Sequence, residues 1–243
     1  MITPIATQKD IIYPDSDGKP MADNTKQFRY IVTIQGGLDA LFQNDPNVFV
    51  AGDLLWYPVE GSNTICTAPD VMVVFGRPKG DRGSYQQWRE DNIPPQVVFE
   101  ILSPNNTLKE MAKKLKFYEH YGVEEYYLYD PDDRDLTGWL RSESGLQVIE
   151  EMVGWVSQRL GIRFELSEGE LVIYRPDGER FATYVELVQQ NKLAKQQAIQ
   201  ERQRAEQGQA QLDRERQRAE HAEQRSRTLA ERLQQLGVDP NQL

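Results

Sequence analysis

Two acids in this chain sit where an acid is costly. Asp70 follows Pro69 and opens the apolar run Val71-Met72-Val73-Val74-Phe75, and Glu100 lies near the end of the apolar run Val97 to Leu102. A carboxylate inside a buried strand loses its hydration and has to be paired, hydrogen-bonded or bound to metal. On neighbouring strands the two would present hard oxygen ligands to Mg2+ (or Mn2+), a cation that keeps several waters and accepts phosphate oxygens. The competing reading of the same spacing is a turn-capping Asp70 and a Glu100 paired with a lysine. Beyond Glu100 the chain turns through Ser103-Pro104-Asn105-Asn106 and enters a helical pattern over about 107–121, closed by Gly122. At about 100° per residue, Leu108, Met111, Ala112, Leu115 and Tyr118 form its apolar face, Lys109, Lys113, Lys116 and His120 lie opposite, and Lys114 falls on the margin. Seven helical residues return ~10 Å along the axis, which brings Lys114 back to the level of Glu100. There it would act as a compact point charge on a phosphate or an attacking water. Its other reading is a snorkelling lysine in a surface salt bridge with Glu110.

Positioning these groups takes strands with a helix between them. Short β-type segments read at Val48 to Val50, Leu54 to Val59, Val71 to Phe75, Val97 to Leu102, Tyr126 to Tyr129, Leu136 to Leu140 and Leu171 to Tyr174. A strand, the 107–121 helix and a returning strand predict a βαβ crossover in a mixed sheet, hence an α/β (α+β) class. Asp23 or Asn24 caps a further helix running to about Phe42, with Phe28, Ile31, Leu38, Leu41 and Phe42 as its stripe and Gly36-Gly37 weakening it. Residues 1–22, with Pro4, Pro14, Gly18 and Pro20, read as an irregular arm, and 23–187 as the globular domain.

The rest, 188–243, is a different kind of chain. Aromatic residues stop at Tyr184, and ERQRAE at 201–206 returns at 215–220, an offset of two heptads. Ala198, Ala205, Leu212, Ala219, Ser226 and Leu233 fall on one seam, joined by Ala222, Leu229 and Leu236, which predicts a long helix ended by Gly237 and Pro240. With this much Ala on the seam, a coiled coil and a solvated helix lying on a partner stay equally open; self-association or a helical protein partner through 188–236 is the functional form of the same pattern.

The composition excludes several classes. The 243 residues carry 28 Lys+Arg against 38 Asp+Glu, and 18 of the cations and 30 of the acids precede Leu187, so the net charge is −12 before it and +2 beyond. The acidity belongs to the domain, so a polyanion would bind through a local basic patch or through cations that neutralise clustered carboxylates. One cysteine, Cys66, and two separated histidines, His120 and His221, build neither a disulfide nor a Cys/His zinc cage. No apolar run approaches the ~20 residues of a membrane helix and no leader pattern opens the chain, so a cytoplasmic protein with no membrane partner is expected.

The combination Pro69-Asp70, Val98-Phe99-Glu100-Ile101-Leu102-Ser103-Pro104, Lys114-Leu115-Lys116-Phe117-Tyr118 and Gly122-Val123-Glu124-Glu125-Tyr126-Tyr127-Leu128-Tyr129-Asp130-Pro131 resembles the Uma-two family, a domain of unknown function in the restriction-endonuclease-like PD-(D/E)XK nuclease superfamily. The resemblance runs from about Ala51 to Leu187. It implies a mixed four-stranded sheet flanked by helices and Mg2+-dependent phosphodiester hydrolysis on DNA, with Asp70 and Glu100 as metal-binding catalytic acids. The lysine position two after Glu100 holds Leu102, and Lys114 matches a lysine moved to the following helix. Asp53 is the candidate for the additional acid the superfamily often supplies; its other reading is an ordinary turn residue.

Between the two acidic strands, Arg77, Lys79, Arg82 and Arg89 interleave with Tyr85 and Trp88, a mixture in which cations meet phosphates and rings stack on bases. The alternative is a loop whose cations answer Asp81, Glu90 and Asp91. Two functions are therefore carried forward: a metal-dependent DNA endonuclease, and a catalytically inactive nuclease-fold module that docks through its C-terminal helix.

Overall fold

The computed structural model describes residues 11–18, 20–167 and 169–235. The chain divides after Tyr184 into two units. The first opens with the helix α1 (Thr25–Leu41), whose N-cap Asn24 accepts from the backbone N–H groups of Lys26 and Gln27. Strands β1 (Val48–Gly52), β2 (Trp56–Tyr57), β3 (Val71–Phe75) and β4 (Tyr85–Gln86) follow, then a 3-10 turn at Gln87–Arg89, β5 (Val97–Ile101), helix α2 (Leu108–Tyr121), β6 (Glu125–Asp130), β7 (Asp135–Ser142), β8 (Gly145–Val148), β9 (Arg163–Ser167) and β10 (Glu170–Tyr174).

Six strands form one mixed sheet in the order β1-β3-β5-β6-β7-β8. All its pairings are antiparallel except β5 with β6. That parallel pair is joined by α2, the expected crossover, since two parallel neighbours cannot be linked by a tight turn. The central strands read as continuous apolar runs because both sheet faces are covered. Val71, Val73, Val97, Phe99 and Ile101 pack with Ile31, Ile34 and Leu38 of α1, while Met72, Val74 and Val98 pack with Tyr118 of α2 and with Trp56.

Two details depart from the sequence pattern. The Gly36-Gly37 pair leaves α1 uninterrupted, and a Cβ at Gly37 would lie 2.3 Å from the Phe181 ring, so the missing side chain is what lets that ring approach. The expected strand Leu54 to Val59 shrinks to two residues, and β4, β8 and β9 were not foreseen; all three are short or at a sheet edge, where alternation is too brief to register. Among the described residues no helix is long and apolar enough to cross a membrane.

The second unit is carried by helix α3 (Tyr184–Gln235), 52 residues and ~78 Å long. The ERQRAE repeat writes the same ion pair twice, Arg202 with Glu206 and Arg216 with Glu220, each one turn apart. Val185, Val188, Leu193, Ile199, Leu212 and Leu229 are all exposed. The expected stop at Gly237 and Pro240, and the first ten residues of the arm, lie outside the described residues.

Candidate functional site

The β3–β5 ladder ends at the pair Val71↔Phe99. Pro69 has no N–H to continue it, and the Asp70 side chain takes over: its Oδ2 accepts from the Ile101 backbone N–H at 2.6 Å. One step beyond the last rung, the register sets Asp70 opposite Glu100. On the other side β1 and β3 end at Gly52↔Val71, so the next rung sets Asp53 opposite Asp70, and the Asp53 N–H donates to the Asp70 carbonyl at 3.2 Å. Residues directly opposite one another share a sheet face. Asp70 and Glu100 therefore belong to one face, and it is the face of Met72 and Val98, covered by α2. Both are buried, Asp70 8% and Glu100 2% exposed. Asp53 turns the chain with a left-handed φ of 47°.

Helix α2 supplies the partners of Glu100. It starts at a capping box in which Thr107 and Glu110 satisfy each other's backbone N–H groups, and it ends on Gly122 at φ 94°. From this frame the Lys114 ammonium donates to Glu100 Oε2 at 2.7 Å, and one turn later the Tyr118 hydroxyl donates to Glu100 Oε1. The helix is rotated from the face its apolar residues suggest. Leu108 is 92% exposed and Ala112 is exposed, whereas Met111, Lys114, Leu115 and Tyr118 turn inward. Lys114, half-buried at the margin of this stripe, reaches inward, because a buried carboxylate is a stronger demand on the facing helix than one more leucine.

The electrostatics of the cluster follow from this crowding. Burial, then the neighbouring Glu100 charge, holds the Asp70 carboxyl well above its ordinary 3.8; Lys114 and the Ile101 N–H oppose the rise without cancelling it. For Lys114 burial is the largest influence and works to lower it, but Glu100 and Asp70 together outweigh it and the ammonium is held above the usual lysine range. Asp53 is raised by burial and by Asp17. Burial and Glu100 hold the Tyr118 phenol protonated well beyond its ordinary range.

A cleft of about 590 Å³ opens over this cluster, with Asp53, Asp70 and Lys114 in its wall beside Asp17, Asn105 and Asn106. Glu100 lies beneath it. Among the described residues no group of three or more His, Cys, Asp and Glu side chains comes together so as to hold a metal ion. The donor set still suits Mg2+ or Mn2+: hard carboxylate oxygens, of which Asp70 Oδ1 meets no protein donor among the described residues, and open space for the waters such an ion keeps. A divalent charge there would also offset the burial and the Glu100 charge that raise the Asp70 carboxyl.

The structure does not bring the 77–89 segment to this cleft. Arg77 and Arg82 both donate to the Glu90 carboxylate, at 2.8 and 2.7 Å, and are only 15% and 13% exposed. Arg77 also pairs with Asp91, Arg82 lies 3.9 Å over the Phe49 ring, and Lys79 pairs with Asp39 at 3.1 Å. Tyr85 is wholly buried and its hydroxyl donates to the Ile93 carbonyl; its ring faces the core and offers no stacking surface. Trp88 packs on Tyr13 of the N-terminal arm, and Arg89 is exposed on the 3-10 turn. Glu90 and Asp91 absorb Arg77 and Arg82 locally, and Asp39 of α1 takes Lys79. Sequence reading passed over Tyr118 and Asp17 as site residues. The first was detectable, one helical turn from Lys114; the second reaches the cleft from an arm without periodicity, and no local signal marks it.

Residues 20–158 match the Uma2 family, described as "Putative restriction endonuclease". No curated protein matches the chain. Among solved structures, "a putative nuclease belonging to DUF820 from Anabaena variabilis ATCC 29413" is similar at a TM-score of 0.43 and 18% identity, over 58% of this chain and 78% of that one.

Proposed function

Because the chain belongs to the Uma2 family, we propose that it is a divalent-cation-dependent endonuclease that hydrolyses DNA phosphodiester bonds in the cleft over Asp70, Glu100 and Lys114. The observation that carries the reading is the sheet register: three acids, Asp53, Asp70 and Glu100, side by side in one row across the ends of three adjacent strands, with a lysine from the crossover helix bonded to the innermost at 2.7 Å. Asp70 and Glu100 hold Mg2+ or Mn2+, with Asp53 as the additional acid at the cleft rim. Bound there, the cation supplies Lewis-acid polarisation of a phosphoryl oxygen and charge neutralisation. The chain's own contribution is positional. Lys114, held close to its carboxylate partners, presents one ammonium to the charge that develops on phosphorus, and the sheet fixes the two acids so that little reorganisation accompanies the reaction. A cleft walled by Asp17, Asp53 and Asp70 repels a naked polyanion, so cation entry and substrate entry are linked.

The test is cleavage of supercoiled plasmid and linear duplex with Mg2+, with Mn2+ and with EDTA. Cleavage that needs a cation and disappears in both Asp70→Ala and Glu100→Ala, with melting temperatures retained, is the expected result. Cleavage that survives either substitution would refute the assignment.

Residues 23–187 form the nuclease domain in this reading and 188–243 an association element. The exposed apolar side chains of α3, of which Leu212 and Leu229 fall on the seam of the repeat, favour a second reading for that part of the chain, docking to a helical partner or to a second copy. With alanine at many seam positions the buried area per contact is small, so self-pairing is weak and concentration-dependent.

A further inference from the structure

We propose that Tyr118 is the positioning residue of Glu100, the group that keeps this carboxylate aimed at the cation; the proposal rests on the metal-site reading above. Glu100 ends in a terminal torsion that is broad and shallow, so its two oxygens settle only where donors hold them. Two donors do so, both from α2. Their chemistry differs. Lys114 is a positive charge on a flexible four-carbon stem, 27% exposed at the cleft; it competes with a cation for the same carboxylate and is the donor that has to yield when phosphate arrives. Tyr118 is neutral, so its hydrogen bond leaves the carboxylate's charge available to a cation. It is also immobile: wholly buried, its ring lies parallel to Trp56 with centroids 6.4 Å apart and edge-on to Tyr126 at 5.1 Å. A donor that is fixed, uncharged and remote from solvent can hold Oε1 whether or not Lys114 is engaged, which is what a hydrogen bond behind a metal ligand must do.

The neighbouring phenol is a built-in comparison. Tyr126 shares the same face and is 1% exposed, yet its hydroxyl has no hydrogen-bond partner among the described residues. Of these two buried tyrosines in ring contact, only Tyr118 has its hydroxyl bonded to Glu100.

The experiment compares full-length wild type, Tyr118→Phe, Tyr126→Phe and Asp70→Ala by titrating free Mn2+ with electron paramagnetic resonance, with melting temperatures read alongside. Phenylalanine keeps both rings and their packing. Tyr118→Phe is expected to weaken Mn2+ binding about 10- to 100-fold, Tyr126→Phe to leave it unchanged, and Asp70→Ala to abolish it. On DNA, the Tyr118→Phe deficit should shrink as Mn2+ is raised while the KM for DNA stays put. Wild-type affinity in Tyr118→Phe, or an equal loss in Tyr126→Phe, overturns the positioning role while leaving the metal site standing. Undiminished binding in Asp70→Ala, or none in wild type, overturns the metal site and this proposal with it.

Discussion

Replacing Lys114 with methionine isolates the charge that compensates the buried acids. Methionine keeps most of the stem and its packing beside Met111 and Tyr118 but removes the ammonium 2.7 Å from Glu100. Breaking a fully buried ion pair by deleting one partner costs about 3–5 kcal/mol, because the remaining charge is stranded. Here Glu100 is buried, 3% exposed in its side chain, while Lys114 is 27% exposed, so water can reach part of the vacated space and the Tyr118 hydrogen bond persists. A net loss of about 2–3 kcal/mol follows from that discount. For a unit of this size it is a fall of about 4–12 °C in melting temperature. The assay is urea unfolding followed by tryptophan fluorescence in EDTA, repeated with Mg2+. Added cation should restore most of the loss, since binding at a hundred times Kd contributes about 2.7 kcal/mol. Asp70→Asn in the Lys114→Met background should restore part of it without cation, by removing the repulsion the lysine had offset, with a coupling of about 0.5–3 kcal/mol between the two sites. A Lys114→Met variant within about 0.5 kcal/mol of wild type in EDTA would refute the reasoning, because surface substitutions away from any buried charge already lie in that range.

Three further outcomes are expected. The Asp70 carboxyl is raised in the folded state, so its protonated form favours folding and stability is lost as pH climbs from the ordinary value of 3.8 through the raised one; Asp70→Asn should be more stable than wild type at neutral pH and equal to it below about pH 4, read from acid-to-neutral urea series of both proteins. On α1, Gly36→Ala should stabilise by about 0.5–1 kcal/mol, because nothing lies within 4 Å of the added Cβ, and Gly37→Ala should destabilise by about 1–3 kcal/mol through Phe181; thermal melts that rank the two the other way would place the Phe181 ring elsewhere. A chain cut after Leu187 should stay folded and bind Mn2+ as the full chain does, while sedimentation velocity over a concentration series loses any association; identical monomeric sedimentation of both would leave α3 to a heterologous partner.

Much of the architecture was legible because its signals are local. Asn24 and Thr107 mark helix starts through side-chain oxygens that reach the nearest free N–H groups, and Gly122 marks an end because it takes φ 94° without strain. The apolar runs at 71–75 and 97–101 announced strands covered on both faces. Asp70 and Glu100 stood out by a clash that the sequence itself displays, an acid where burial is required. Register is different, because it depends on which residues of distant segments meet. Only the assembled sheet decided that Asp53, Asp70 and Glu100 lie side by side in one row, that α2 turns Lys114 inward in place of Leu108, and that Glu90 takes up Arg77 and Arg82. The sequence by itself determined which groups are expensive to bury; the tertiary structure decided which partner bears each cost, since desolvation is a property of a residue type and its compensation is a property of distance.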